Sequence, residues 1–228
     1  MIEVRHLCKR LGGTPVLDDI DMIVKKGSIV GLAGPNGSGK TMLMRAIVGL
    51  IRPTSGEVIV DGRNAWSAGE GNRLGMPTIG MLLEGPAFLD GYTGYRNLEL
   101  LASIRGIATR QDVRDSIAAM GLDPDDHRKY RSYSLGMKQR LGIAGAVMER
   151  PDLLIVDEPT NALDASGVRL AIDQIRSAWR RGATVVLACH DASVLRGLSD
   201  EIWYLAEGHI DGHETIRDAS LREGAHDE

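Results

Sequence analysis

Residues 34–41 read Gly34, Pro35, Asn36, Gly37, Ser38, Gly39, Lys40 and Thr41, a glycine-rich turn closed by a lysine and a hydroxyl. Glycines at this spacing let backbone N–H groups turn inward around phosphate oxygens. A helix that begins directly afterwards adds the positive end of its dipole. Lys40 can then reach the β- and γ-phosphates, and the Thr41 hydroxyl can ligate Mg²⁺. A second group lies in residues 153–159, LLIVDEP, where an apolar run delivers two carboxylates. Asp157 suits Mg²⁺ held through water, and Glu158 suits orienting or deprotonating an attacking water. Ser134, in YSLGM at 133–137, opens a stretch rich in small residues. It reads as a helix N-cap, and a helix N-terminus with a hydroxyl and bare N–H groups also suits an anion.

These groups need strands and helices to hold them. Residues 28–33 (SIVGLA) form a short apolar run before the glycine-rich turn, and 41–50 read as a helix stopped near Pro53. Residues 2–5 and 16–24 alternate as half-buried antiparallel strands do, and 57–61 and 79–83 are further strand candidates. From 94 to about 148 the pattern turns helical, punctuated by Gly106, Gly121 and Pro124. Residues 153–156 and 184–188 have the length of buried strands. Between them a helix over about 164–179 places Val168, Ala171, Ile172, Ile175 and Ala178 on one stripe. A hairpin around Gly208 closes the pattern. Alternating strands and helices imply an α/β fold with a parallel sheet.

Composition narrows the class. The 228 residues are 43 % apolar and 25 % charged with a net charge of −4, which excludes disorder and argues against a coat on nucleic acid. No apolar run approaches bilayer length, and Met1 is followed by no apolar leader. Cys8 and Cys189, the two cysteines, stand in no paired spacing and read as free thiols of a reducing compartment. A cytoplasmic protein whose membrane role comes through a partner is expected.

The ordered set of glycine-rich turn, Ser134 segment, DEP strand, Asn161-Ala162-Leu163-Asp164 and His190 after a strand resembles the ATP-binding cassette ATPases. The resemblance runs from Ile2 to about Ile216. It implies a P-loop NTPase (RecA-like) core with an antiparallel β subdomain and an inserted α-helical subdomain. The core takes 1–85 and 151–217, the helical subdomain 86–150, and 218–228 form a loose tail of one domain. It implies ATP and Mg²⁺ as ligands. Residues 34–41 are then the Walker A loop, Asp157 the Walker B aspartate and metal ligand with Thr41, and Glu158 the catalytic base. His190 resembles the switch histidine. Ser134, Gly136 and Asp164 would act on ATP held by a second nucleotide-binding domain, in a homo- or heterodimer.

Departures from the family pattern sharpen the expectation. Leu135 replaces a glycine and Met137 a glutamine, as in drug and antibiotic exporters whose permease is a separate chain. Leu11 occupies the place of an adenine-stacking aromatic, with Val16 beside it as a nucleotide contact. Glu84, after the strand at 79–83, replaces a glutamine and resembles the ATPase subunits of lantibiotic-immunity and bacitracin-type exporters. It is expected at the catalytic and metal site. Gly85-Pro86 and Gly91 supply hinge-like backbone after it. The partner implied is an integral-membrane permease of ABC-2 exporter type at the inner membrane face, with no nucleic acid. The basic group Arg128, Lys129, Arg131, Lys138 and Arg140 reads as part of a dimer interface that faces triphosphate. The segment before Ser134 is too short for the coiled coil of repair ATPases. A single motif set excludes the two-cassette translation factors. P-loop kinases need neither the Ser134 segment nor His190. An importer is the nearest alternative.

Overall fold

The computed structural model describes residues 1–66 and 77–216; the tail expected at 218–228 lies outside them. The chain forms two compact units, one of Met1–Pro77 with Thr184–Glu228 and one of Thr78–Ala183.

In the first unit, β1 (Ile2–Leu11) and β2 (Thr14–Val24) make an antiparallel hairpin turned by Gly12 and Gly13 at φ of 55° and 88°. Along β2, Ile20, Met22 and Val24 are buried while Asp19, Asp21 and Ile23 face solvent, which is the period of a half-buried strand, and buried Leu17 lies across the register shift. β1 also pairs with β4 (Ser55–Val60), and β5 (Arg63–Asn64) extends that sheet. β1 runs well past the expected end at Arg5. Its register with β2 shifts between Val4 and Leu7, and this irregularity hides the alternation in the sequence.

A second sheet of this unit centres on β3 (Ile29–Ala33). It is flanked in parallel by β8 (Thr184–Ala188) and β9 (Glu201–Ala206), with β10 (His209–Thr215) antiparallel to β9. Every residue of β8 and nearly all of β3 are buried, so both read as unbroken apolar runs. α1 (Lys40–Ile47) follows β3 and ends earlier than the sequence suggests. Gly49 stops it at φ 71°, before Pro53, and a Cβ there would lie 2.6 Å from the carbonyl oxygen of Ala65. α6 (Ala192–Leu198), absent from the sequence reading, packs Leu195 against Gly31 of β3.

The second unit pairs β6 (Ile79–Leu82) in parallel with β7 (Leu153–Asp157), from Ile79 opposite Leu153 to Leu82 opposite Val156. Its helices are α2 (Gly94–Arg105), α3 (Arg110–Ala119), α4 (Leu135–Val147) and α5 (Ala165–Arg180). Local signals start and stop them. Thr93 caps α2, and Gly106 ends it at φ 65°. A Thr109–Asp112 capping box opens α3. α5 buries Ala171, Ile175 and Ala178 as its stripe predicts, adds Gly167, and leaves Val168 and Ile172 half-buried.

Candidate functional site

The glycine-rich turn joins β3 to α1, where the sequence places it. Gly34 has φ 146°, and a Cβ on it would stand 2.1 Å from the carbonyl oxygen of Leu205 and 2.7 Å from Ser38 Oγ. Only glycine fits that passage. Gly39 is the N-cap of α1 at φ 106°, and no side chain caps this helix or places a carboxylate in its first turn. The positive end of α1 is thereby left for an anion. Lys40 is 8 % exposed, and its ammonium folds over the turn to donate to the carbonyls of Gly34 at 2.7 Å and Pro35 at 3.0 Å. Ser38 Oγ is buried without a hydrogen-bond partner inside the loop. A buried polar atom of this kind costs stability unless a ligand oxygen meets it, so these residues fit a phosphate.

The start of β2 lines the same loop. The Val16 carbonyl oxygen and a Leu17 methyl lie about as near Gly39 as atoms can come, 3.0 and 2.9 Å from where a Cβ would stand. Val16 is half-buried there, and Leu11, 47 % exposed beside the Gly12–Gly13 turn, presents an aliphatic face. His190 is exposed just beyond β8, and the following Asp191 caps α6 by accepting from Ser193 N at 2.8 Å and Val194 N at 3.2 Å. That cap fixes the backbone that carries the imidazole.

The carboxylates belong to the second unit. Asp157, the last residue of β7, is buried at 7 % exposure. Glu158 follows at φ 51°, a left-handed conformation that a residue with a Cβ holds only under constraint. Glu84 is exposed two residues beyond Leu82, which pairs with Val156, so the parallel register brings the segment after β6 beside the end of β7. Glu84 has φ 57° and Gly85 φ 90°. The loop is tethered beyond them: Tyr130 donates its hydroxyl hydrogen to Pro86 O at 2.6 Å. Buried Asn97 bonds Leu89 N and O and Thr93 O at 2.8 to 3.1 Å.

Ser134 is the N-cap of α4, its Oγ accepting from Met137 N at 3.2 Å, so its hydroxyl hydrogen points elsewhere. Gly136 lies under the loop at 158–164, since a Cβ on it would be 2.9 Å from Ala162 O. Asp164 caps α5 and accepts from Gly167 N at 2.8 Å, from Arg140 at 2.6 Å and from Ser166 Oγ. The Gly167 N–H above all, then Ser166 and Arg140, hold its carboxyl below the usual range. Much of the basic group is engaged. Arg128 pairs with Asp126 at 2.8 Å, Arg140 with Asp164, and Lys138 Nζ sits 4.9 Å from the Tyr130 ring centre.

Two further residues contact the carboxylate loop; the sequence places Arg140 only in the basic interface group and gives Gln139 no role. Gln139 donates from Nε2 to Glu158 O at 2.9 Å, and Arg140 reaches Asp164. The available signal was a glutamine and an arginine at the head of a helix that is otherwise small and apolar.

The family model described as ABC transporter matches residues 17–161. The chain belongs to that family. It is 40 % identical over 217 residues to the ABC transporter ATP-binding protein YybJ of Bacillus subtilis (strain 168), covering 95 % of this chain and 97 % of that one. It is 39 % identical over 215 residues to the bacitracin transport ATP-binding protein BcrA of Enterococcus faecalis, covering 92 % and 68 %. Among solved structures it resembles the dimeric ATP-binding cassette MJ0796, in a post-hydrolysis state bound to ADP and Pi. The TM-score is 0.87 at 26 % identity, over 96 % of this chain and 100 % of that one. The chain is an ABC-type ATPase subunit with the P-loop NTPase fold, and it binds ATP. Among the described residues no helix is long and apolar enough to cross a membrane.

Proposed function

We propose that this ATPase powers export of an antimicrobial peptide, antibiotic or other drug through a separate membrane permease of ABC-2 type, from the cytoplasmic face. The observation that carries the ATPase half is the turn at 34–41, with an uncapped helix end, a folded-in Lys40 and the buried Ser38 hydroxyl. The export half rests on relatives. BcrA is a bacitracin transport protein, and the 34 % identical SrtF of Streptococcus pyogenes is a lantibiotic transport ATP-binding protein.

On this reading residues 34–41 hold the phosphates, and Leu11 and Val16 contact the base by dispersion without an aromatic stack. Thr41 and Asp157 are oxygen donors suited to Mg²⁺, with Glu84 as a further carboxylate. Held by these residues, Mg²⁺ would supply positive charge to offset that of the phosphates. Glu158 orients the attacking water and takes its proton as the water oxygen bonds the γ-phosphorus and the bond to ADP breaks. His190 donates to the γ-phosphate. Ser134, Gly136 and Asp164 serve the ATP of a second nucleotide-binding domain, identical or not. The working division is one domain, with core at 1–85 and 151–217 and helical subdomain at 86–150. Glu84 couples nucleotide state to the permease, because the loop that bears it is tethered at Pro86 and at 89–93.

The test is reconstitution of the chain with its permease in vesicles containing labelled bacitracin or lantibiotic. ATP-driven movement should vanish in Glu158→Gln. Glu84→Gln should retain ATP binding, and Glu84→Ala should lose permease-stimulated ATPase activity far more than ATP affinity. Movement unchanged by Glu158→Gln overturns the proposal, and a Glu84→Ala variant equal to the unmodified chain removes the coupling role.

A further inference from the structure

Glu158 leaves β7 in a left-handed conformation (φ 51°), and Ala162 four residues on adopts another (φ 60°). Neither is favoured for a residue with a Cβ, so the segment from Glu158 to Asp164 must be held by its surroundings. One face of α4 makes contacts that can hold it. Gly136 gives close passage to Ala162 O, Gln139 donates to Glu158 O, and Arg140 donates to Asp164 and Ser166. Positions 136, 139 and 140 follow the i, i+3, i+4 spacing of a single helix face.

Gln139 is the specific member of the set. It is 6 % exposed, and a buried amide is tolerated where its hydrogen bonds are made. The Glu158 carbonyl also accepts from Asn161 N at 3.2 Å, within the turn itself. The Gln139 amide at 2.9 Å ties that turn to α4. Fixing this carbonyl fixes the rotation of the peptide plane after Glu158, and with it the direction in which the Cα–Cβ bond aims the carboxylate.

We propose that Gln139 is a positioning residue that aims the Glu158 carboxylate at the attacking water, by holding the Glu158 carbonyl from α4. The inference rests on the reading of Glu158 as the base. It has a mechanical consequence, because Ser134 caps the same helix just over one turn before Gln139. A displacement at the Ser134 end of α4 is therefore passed to the base.

The experiment uses the purified full-length chain and Michaelis kinetics with Mg²⁺ and ATP. Gln139→Met keeps the length and apolar contact of the side chain and removes its donors. Its kcat should fall about tenfold to a hundredfold, the scale of a small misplacement of a catalytic group. Its KM for ATP should stay within about twofold, since no contact to bound ATP is lost. In a Glu158→Gln background the same substitution should lower the remaining rate no further, because Gln139 acts through Glu158. Gln139→Glu serves if Gln139→Met does not fold. It too removes the donor at neutral pH and should show the same loss of kcat, with KM for ATP within about twofold. The proposal is overturned if Gln139→Met keeps full kcat while Glu158→Gln is inactive, if KM rises with the loss, or if the two losses multiply. A Glu158→Gln chain with full activity overturns the reading of Glu158 and the proposal with it.

Discussion

His6 sits where the β1–β2 register slips, at φ 47°, and Asp19 of the paired strand has φ 50°. Its Nδ1 lies 3.0 Å from Asp19 Oδ1 and 3.4 Å from Asp21 Oδ2, and Asp21 also accepts the His6 backbone N–H at 3.0 Å. The hydrogen bond to Asp19, then the charges of Asp21 and Asp19, raise the imidazole above its ordinary 6.5. The cation is thus favoured in the folded chain. Its contribution to stability is complete below the unfolded value and is lost as pH rises through the folded one. The groups are exposed, so the effect on stability is small and the direct readout is an NMR titration of the ring. The His6 midpoint should lie above 6.5 and return toward it in Asp19→Asn. A midpoint unmoved by that substitution would show the pair is not formed in solution.

At the scale of elements, α4 is a helix built to be approached. Its glycines admit neighbours closer than a side chain would let them stand unmoved. A Cβ on Gly142 would meet Pro86 at 2.8 Å and Leu82 at 2.9 Å, and one on Gly145 would meet Leu98 at 3.1 Å. Glycine inside a helix costs about 0.5–1 kcal/mol relative to alanine, so close packing must offset that loss. Gly142→Val should therefore destabilise the chain by about 1–3 kcal/mol, since overpacking exceeds the propensity gain. Urea unfolding should show a lower midpoint at unchanged slope. An unchanged midpoint would mean that Pro86 and β6 give way at no cost. The same contact lies two residues from Glu84, so α4 supports both carboxylate-bearing loops of its unit.

At the scale of the whole molecule, the proposed function needs two copies or two related chains. Glu158→Gln keeps the shape of the base but cannot take a proton, so ATP should persist once bound. A ligand that bridges two subunits favours the pair by about 2.7 kcal/mol at a hundredfold excess over its Kd. Size-exclusion with light scattering should show this variant shift from monomer to dimer with ATP and Mg²⁺. A monomer at saturating ATP excludes the homodimer and favours pairing with a different cassette. The solved relative MJ0796 is a dimer.

The sequence alone determined the chemistry that is local in the chain. The turn at 34–41, the carboxylates at the end of β7 and the cap at Ser134 are each written within a few residues, because turn, cap and strand-end geometry depend on near neighbours. Most elements were legible for the same reason, through period and punctuation. Tertiary structure decided whatever joins distant residues. It carried β1 through its irregularity to Leu11, stopped α1 at Gly49 under Ala65, and added α6 behind Gly31. It paired Arg140 with Asp164 across 24 positions, and it set Gln139 on the carbonyl of Glu158, 19 residues away. No periodicity encodes such pairs. They exist because α4 passes beside the 158–164 turn, which brings a buried amide within reach of one of its carbonyls and a guanidinium within reach of its aspartate.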